Sequence, residues 1–544
     1  MICFTRLTFY INYLGKFHLT FGNQVKKWSF LFSLVIFFLS TFQSAFSQSE
    51  IPTIRYVISI PDPSTHTYNV ELQCSQWMQD TIQLKMPQWM PGYYQKMEYA
   101  KSVKNVQAQD ANGNSLPIKK KNDNTWLISE IKDKTFLVNY TIQTERQFVA
   151  NSYVDSTHAY IIPENSFLYE EKSINTPVSV RLEFGKKWKS VATGLEPISG
   201  RDYEFKASDF DILYDCPILI GDLEELPSFD LKGINHRFIG YNIGNFDREL
   251  FMTNLKKIIK ASIDIIGDIP YKQYIFIGIG PGRGGIEHLN NTTISFDGNQ
   301  LASPEAFNRM MNFIAHEYFH HYNVKRIRPF ELGPFDYDNG NRTNLLWVSE
   351  GLTVYYEYLI VKRAGLSNIT TLLANFEKNL NAVEDNPGRH HQSLQQASYR
   401  TWSDGPFGTK GSEPEKSISY YDKGPLVGLF LDFEIRNATQ NQRSLDDVMR
   451  MLYKKYYKEE QRGFTEAEFQ QSCEQVAGIP LTELFEYVYT TKELNYKKYL
   501  AYAGLIIDNQ TSNSLDKTKQ KLRISRMRNP SSIQLAILNS WLGE

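Results

Sequence analysis

The sequence predicts a multidomain α+β protein, all-β in its first part, α+β in its middle and helical after that. Three observations carry this reading. At 544 residues the chain exceeds one ordinary domain several-fold. Between Ile51 and about Ile220, short runs of β-branched and aromatic residues alternate between turn signals, whereas after Asp230 helical spacing takes over. With 42% hydrophobic and 14% aromatic residues there is ample apolar surface for large cores, which excludes a disordered chain.

Taken in order, residues 1–47 read as a signal peptide with an extended lead. Lys26-Lys27 precede the apolar run Phe30 to Leu39, and Ala45-Phe46-Ser47 supplies small residues for cleavage; the true start is expected near Val25. The run is shorter than the ~20 residues a span requires, so no stable membrane span is expected after signal removal, and the mature protein is expected to be periplasmic or cell-envelope associated. Residues 48–228 form the expected β domain, with strands over Thr53–Ile60, Tyr68–Cys74, Phe136–Ile142 and Val178–Phe184. Inside it, Met86 to Tyr93 holds two prolines bracketing Trp89 and reads as a rigid surface turn.

Residues 229–498 carry a helix over Phe246–Ile266, a buried strand over Tyr274–Ile279 and a glycine-rich turn from Gly280 to Gly285. Ser303-Pro304-Glu305 starts a further helix: a capping hydroxyl, a proline at the first helical position and an acid at the positive dipole end. Beyond Glu350 the spacing of Ile369, Leu372, Leu373, Phe376 and Leu380 is helical. Thr465 to Glu468 is a capping box that Phe464 and Phe469 can staple.

The 59 basic and 60 acidic residues cancel, so no global field draws the chain to nucleic acid or an anionic membrane. No feature specifies an oligomeric state. The four cysteines, Cys3, Cys74, Cys216 and Cys473, are too irregularly spaced for a disulfide framework and read as buried free thiols.

His316-Glu317-Tyr318-Phe319-His320 carries the chemistry. Residues four apart share a helix face one turn apart, so two imidazoles can grip one Zn²⁺ per chain, while Glu317 at the edge of that face can take a proton from activated water. A catalytic zinc takes a third protein ligand and keeps one position open. Glu350 is the candidate, since the apolar stretch Leu345 to Thr353 otherwise buries an acid without a partner; Glu331, Asp336 and Asp338 lie in a loop rich in proline and glycine. His321 points about 100° away and reads as packing or as support behind the ligands.

In Gly284-Gly285-Ile286-Glu287-His288 the glycines let backbone approach a bound ligand, and Glu287 could bind the free α-amino group of a peptide; such anchoring would make the chain an aminopeptidase, against the plainer reading of a glycine-rich turn. Tyr421, ahead of the apolar helix Leu426 to Phe433, can donate to the oxyanion, with Tyr420 as its alternative. Two rival readings stand beside this one: a zinc endopeptidase with the same chemistry, and a non-catalytic zinc-containing surface binding protein, against which the intact Glu317 argues.

Together these stretches, with Trp89-Met90-Pro91-Gly92, Val324 to Pro329 and Gly388-Arg389, resemble the glycyl aminopeptidase family of gluzincin zinc metallopeptidases. The resemblance implies an N-terminal β-sandwich-like domain, a thermolysin-like catalytic domain with a helical subdomain, and a PDZ module. It also implies His316, His320 and Glu350 as zinc ligands, Glu317 as base, Glu287 near the substrate amine, Tyr421 as oxyanion donor, and a preference for N-terminal glycine or alanine. Tyr93 departs from the family's usual serine. Residues 499–544 are too few for a complete PDZ domain, so a truncated, poorly ordered PDZ-like segment is expected there.

Overall fold

The computed structural model describes residues 53–511 and 520–544. The expected signal peptide and Cys3 lie outside the described residues. Thr53 to Glu544 fold as one unit, a β-rich N-terminal part followed by a mixed α/β part that becomes helical.

Strand alternation explains the first part. Thr53–Ile60 buries every second side chain, Ile54, Tyr56, Ile58 and Ile60, and pairs in parallel with Val178–Phe184 and antiparallel with Thr67–Ser75. These strands centre a seven-stranded sheet; a three-stranded sheet through Thr125–Ser129 and a four-stranded sheet through Ile218–Gly221 complete the layer. Cys74, Cys216 and Cys473 are buried free thiols.

The Met86 to Tyr93 segment corrects the expectation of a surface turn. Trp89 is 1% exposed; its indole Nε1 donates to the Asp336 carbonyl at 2.7 Å, and its ring meets Trp402 edge-on at 5.2 Å. The prolines do exclude ladder pairing, but Trp89 and Met90 between them pack with residues of the mixed α/β part.

In the mixed α/β part, Gln273–Gly278 runs parallel to Ile234–Gly240 and Asn291–Ile294, and the edge strand Gly285–Glu287 closes the sheet antiparallel to Asn291–Ile294. The helices Arg248–Ile266, Pro304–Phe319, Leu352–Arg363, Ile369–Asp385 and Tyr420–Ala438 pack on and beyond this sheet. The Thr465 capping box forms, with Phe464 and Phe469 ring centroids 5.7 Å apart.

The expected poor order of the tail is also corrected, for its described residues. Leu505–Thr511 and Gln520–Arg526 pair as antiparallel strands, and the capped helix Ser532–Leu542 buries Ile537, Leu538, Trp541 and Leu542 in the core of the α/β part. Trp541 Nε1 donates to Tyr355 Oη at 3.1 Å, and its ring packs on Phe433 at 5.1 Å. Too short to form a core of its own, the segment completes that of its neighbour.

Candidate metal centre

The helix Pro304–Phe319 starts where its capping residues place it, with Ser303 Oγ accepting from Ala306 N at 3.1 Å. Its last turns bury Ile314, Ala315, Tyr318 and Phe319 on the core side, leaving His316 and Glu317 facing a cleft while His320 caps the end. The opposing chain enters through a widened π turn, Trp347–Gly351, which presents Glu350 to the imidazoles before the helix Leu352–Arg363 continues.

His316, His320 and Glu350 converge, all three buried. The two Nε2 atoms are 2.9 Å apart, and Glu350 Oε2 lies 3.5 Å from His316 Nε2 and 3.3 Å from His320 Nε2. Tetrahedral zinc ligands at ~2.0–2.1 Å stand roughly 3.3 Å from one another, so the carboxylate separations suit a shared ion. The hydrogen bonds sharpen the fit. His320 Nδ1 faces the Asn323 carbonyl at 2.8 Å, which can only accept, and His316 Nδ1 faces Glu357 Oε2 at 2.7 Å. Both Nδ1 atoms therefore carry the proton, and in the neutral rings both Nε2 lone pairs aim at one point beside a carboxylate. Such a donor set repels itself unless a cation fills it.

Electrostatics agree with this grouping. Burial alone raises Glu350, but the His320 and His316 imidazoles outweigh it and hold the carboxyl far below its ordinary range. Burial opposes charging of His316 and His320, yet the carboxylates around them raise both. Burial pushes Glu317 up to about 8, with the imidazoles opposing and Glu287 and Glu350 adding to the rise.

Glu317 lines the cleft 6% exposed, its Oε2 without a hydrogen-bond partner. Gly285 makes its position possible: a Cβ there would lie 2.6 Å from Glu317 Cδ. Gly284 adopts φ +91°, a conformation that favours glycine, and turns the chain into the edge strand. Glu287 is 4% exposed, with Oε1 unpartnered and Oε2 packed where a side chain at Gly92 would stand, 2.8 Å from that Cβ. Tyr421 Oη donates to Glu350 Oε2 at 2.9 Å, whereas Tyr420 Oη pairs with Thr401 Oγ1 at 3.0 Å. Geometry thus separates two adjacent phenols that sequence left open. His321 is turned away among Tyr271, Tyr274, Tyr318 and Tyr322, and burial drives it well below the ordinary range. Asp336 and Asp338 are tied up in loop amides and Lys85.

Sequence reasoning missed several contributors. Glu357 lies seven residues past Glu350, two turns along the same face, a spacing that could have drawn attention to it. Asn323 joins the two ligand segments: its carbonyl orients His320, and its Nδ2 donates to Val348 O at 2.8 Å and Thr353 Oγ1 at 3.0 Å. From the β part, Asp215 accepts from Leu289 N at 2.6 Å and His288 Nδ1 at 3.2 Å and pairs with buried Lys325 at 2.5 Å, fixing the turn that follows Glu287. No short-range signal marks Asp215. Tyr94 lines the cleft as well, with burial and then the charges of Glu350 and Glu287 raising its phenol.

The cleft encloses about 480 Å³ and is walled by Tyr93, Phe148, Phe313 and Phe407 as well as by the site. No helix among the described residues is long and apolar enough to cross a membrane. Sequence models of two families match the chain: the Peptidase M61 N-terminal domain over residues 55–222, and M61 glycyl aminopeptidase over residues 309–427, a range that holds both histidines, Glu317, Glu350 and Tyr421. A solved aminopeptidase N family protein from Idiomarina loihiensis superposes with a TM-score of 0.80 at 27% identity, over 86% of this chain and 81% of that one. An M1 zinc metallopeptidase from Deinococcus radiodurans shares the fold, with a TM-score of 0.50 at 13% identity over 82% of this chain and 95% of its own. No curated protein matches the chain in sequence.

Proposed function

The chain belongs to the M61 glycyl aminopeptidase family and is a peptidase; from that premise we propose that it is a zinc aminopeptidase that removes small N-terminal residues, glycine or alanine, from peptides. His316, His320 and Glu350 would hold the ion. Zinc there supplies the Lewis acidity that activates water and polarises the scissile carbonyl.

The residues of the chain do the rest. Glu317 accepts the proton of the attacking water and passes it to the leaving amine, its Oε2 having no other hydrogen-bond partner. Tyr421 turns its hydroxyl from Glu350 to the developing oxyanion. Glu287 takes the α-ammonium of the substrate and so fixes which bond meets the ion.

The observation that carries the choice of aminopeptidase over endopeptidase is the buried Glu287 carboxylate, with Oε1 unpartnered, close enough to Glu317 and His320 for its charge to act on both. An unpaired buried carboxylate is costly, and a substrate ammonium is the partner that relieves it. Support for a small first residue comes from Gly92, where a side chain would stand 2.8 Å from Glu287 Oε2, and from buried Tyr94 and Tyr420, which line the same cleft.

Free and Nα-acetylated alanyl and glycyl peptides test the reading. Acetylation is expected to lower kcat/KM by at least ~100-fold, a loss of about 2.7 kcal/mol of transition-state stabilisation. Equal cleavage of blocked and free peptides would replace the aminopeptidase by an endopeptidase. The proposal extends to export through residues 1–47, for which a mature N-terminus at or beyond Gln48 is the expected finding.

A further inference from the structure

The far end of the cleft holds polar groups that the chemistry above leaves idle. Asn312 is 6% exposed, lines the cleft, and its Oδ1 has no hydrogen-bond partner. Arg309 also lines the cleft and makes no ion pair or hydrogen bond among the described residues. Lys378 joins them from the facing helix Ile369–Asp385, where its charge acts on Glu357 and Asp422. Arg309 and Lys378 are both exposed cations at the cleft, and neither makes a salt bridge or hydrogen bond among the described residues.

Direction along the cleft follows from the helix Pro304–Phe319. Gly285 abuts Phe313 and Glu317, and two residues further along the strand the Glu287 charge acts on Glu317 and His320, so the edge strand advances in the same sense as the helix. Glu287 stands toward the C-terminal end of that helix. Asn312 and Arg309 stand toward the other end, four and seven residues before His316, about 6 and 10.5 Å along the axis on one face. A substrate whose amine sits at Glu287 must send its remaining residues past His316 toward Asn312 and Arg309.

We propose that this end is a carboxylate subsite: Asn312 pairs with the peptide unit beyond the scissile bond, and Arg309, with Lys378 beside it, receives the free C-terminal carboxylate of a short peptide. An extended chain advances about 3.4 Å per residue, so the 10.5 Å holds roughly three residues beyond the cleaved bond. The substrate class is then tri- and tetrapeptides with both termini free. Arginine suits the task because its planar fork pairs a carboxylate through two hydrogen bonds. This inference rests on the α-amine reading of Glu287.

Kinetics of the zinc-loaded full-length protein on Ala-Ala-Ala and Ala-Ala-Ala-Ala, each as free acid and as C-terminal amide, provide the test. The acids are expected to exceed the amides in kcat/KM by at least 10-fold, mostly through KM. In Arg309→Gln that ratio should fall toward one, and Arg309→Lys should keep part of it. Equal cleavage of acid and amide by the unmodified enzyme would overturn the subsite, as would a ratio that survives Arg309→Gln. Acetylation of the same peptides reads the other end: loss of the free-amine preference would sink the Glu287 reading whatever happens at the carboxylate.

Discussion

Replacing Gly285 by alanine tests whether the position of Glu317, and not its mere presence, sets the rate. The new Cβ would stand 2.6 Å from Glu317 Cδ and 2.7 Å from Oε1, against 3.4 Å for ordinary contact, a shortfall of about 0.8 Å. Phe313 Cζ at 2.9 Å blocks the other way out. Unlike Gly284, Gly285 does not occupy a left-handed conformation, so alanine adds no backbone strain and the perturbation is confined to the clash. The base must retreat. A displacement near 1 Å in a positioned catalytic group costs on the order of 100-fold, about 2.7 kcal/mol of barrier. The expected outcome is a fall of that size in kcat, little change in KM, and zinc content unchanged, because the three atoms nearest the new Cβ belong to Glu317 and Phe313 and not to His316, His320 or Glu350. Steady-state kinetics and metal analysis of the same preparation read all three. A kcat within threefold of the parent would refute the claim that the edge strand holds the base in place.

Two further predictions follow from the surroundings of the site. Removing the carboxylate that orients His316, in Glu357→Ala, is expected to weaken zinc binding by 10–100-fold in a chelator competition, since the 2.7 Å bond to Nδ1 fixes the tautomer that offers Nε2 to the ion. Lys423 is 2% exposed and desolvation lowers it from 10.5 to about 8. Between those values the unfolded chain binds more protons than the folded one, so stability rises with pH across about 8 to 10.5 and the full penalty, on the order of 3 kcal/mol, stands below 8. Lys423→Met should therefore raise the urea midpoint at pH 7 and flatten its rise between pH 8 and 10; an unchanged slope would remove Lys423 as its source.

What the sequence made legible and what it hid divide along contact range. His316, Glu317 and His320 are readable because helix geometry alone brings residues four apart onto one face. Glu350 is readable because an acid within an apolar helical stretch needs a partner. The strand Thr53–Ile60 and the caps at Ser303 and Thr465 rest on equally local signals. Asp215 was not readable: it stands 73 residues from His288, and nothing near it in sequence marks a clamp. Trp89 looked like a surface turn because its prolines exclude strand pairing, yet backbone that cannot pair can still bury its side chains. The length of the tail says only that it cannot build a core alone, while Trp541 joins the core that holds Tyr355, 186 residues earlier.

The two glycines in Glu350-Gly351 and Tyr421-Asp422-Lys423-Gly424 look unrelated in sequence, yet they form one device. A Cβ on Gly424 would lie 2.7 Å from Gly351 Cα, and the reciprocal Cβ on Gly351 equally close to Gly424 Cα. Only bare backbone allows the π turn and the helix Tyr420–Ala438 to cross so tightly. At that crossing Glu350 sits one residue before one glycine and Tyr421 three residues before the other, which brings the phenol to 2.9 Å from the carboxylate. Proline and glycine inside this helix are poor choices by propensity, at about 3 and 1 kcal/mol against alanine. The crossing explains Gly424; Pro425, the sixth residue of the helix, offers no N–H to the Tyr421 carbonyl, which accepts from Asn379 Nδ2 at 3.2 Å instead. The close crossing therefore outranks local helix preference, because it delivers the third ligand and the hydroxyl donor to the same side of the imidazoles.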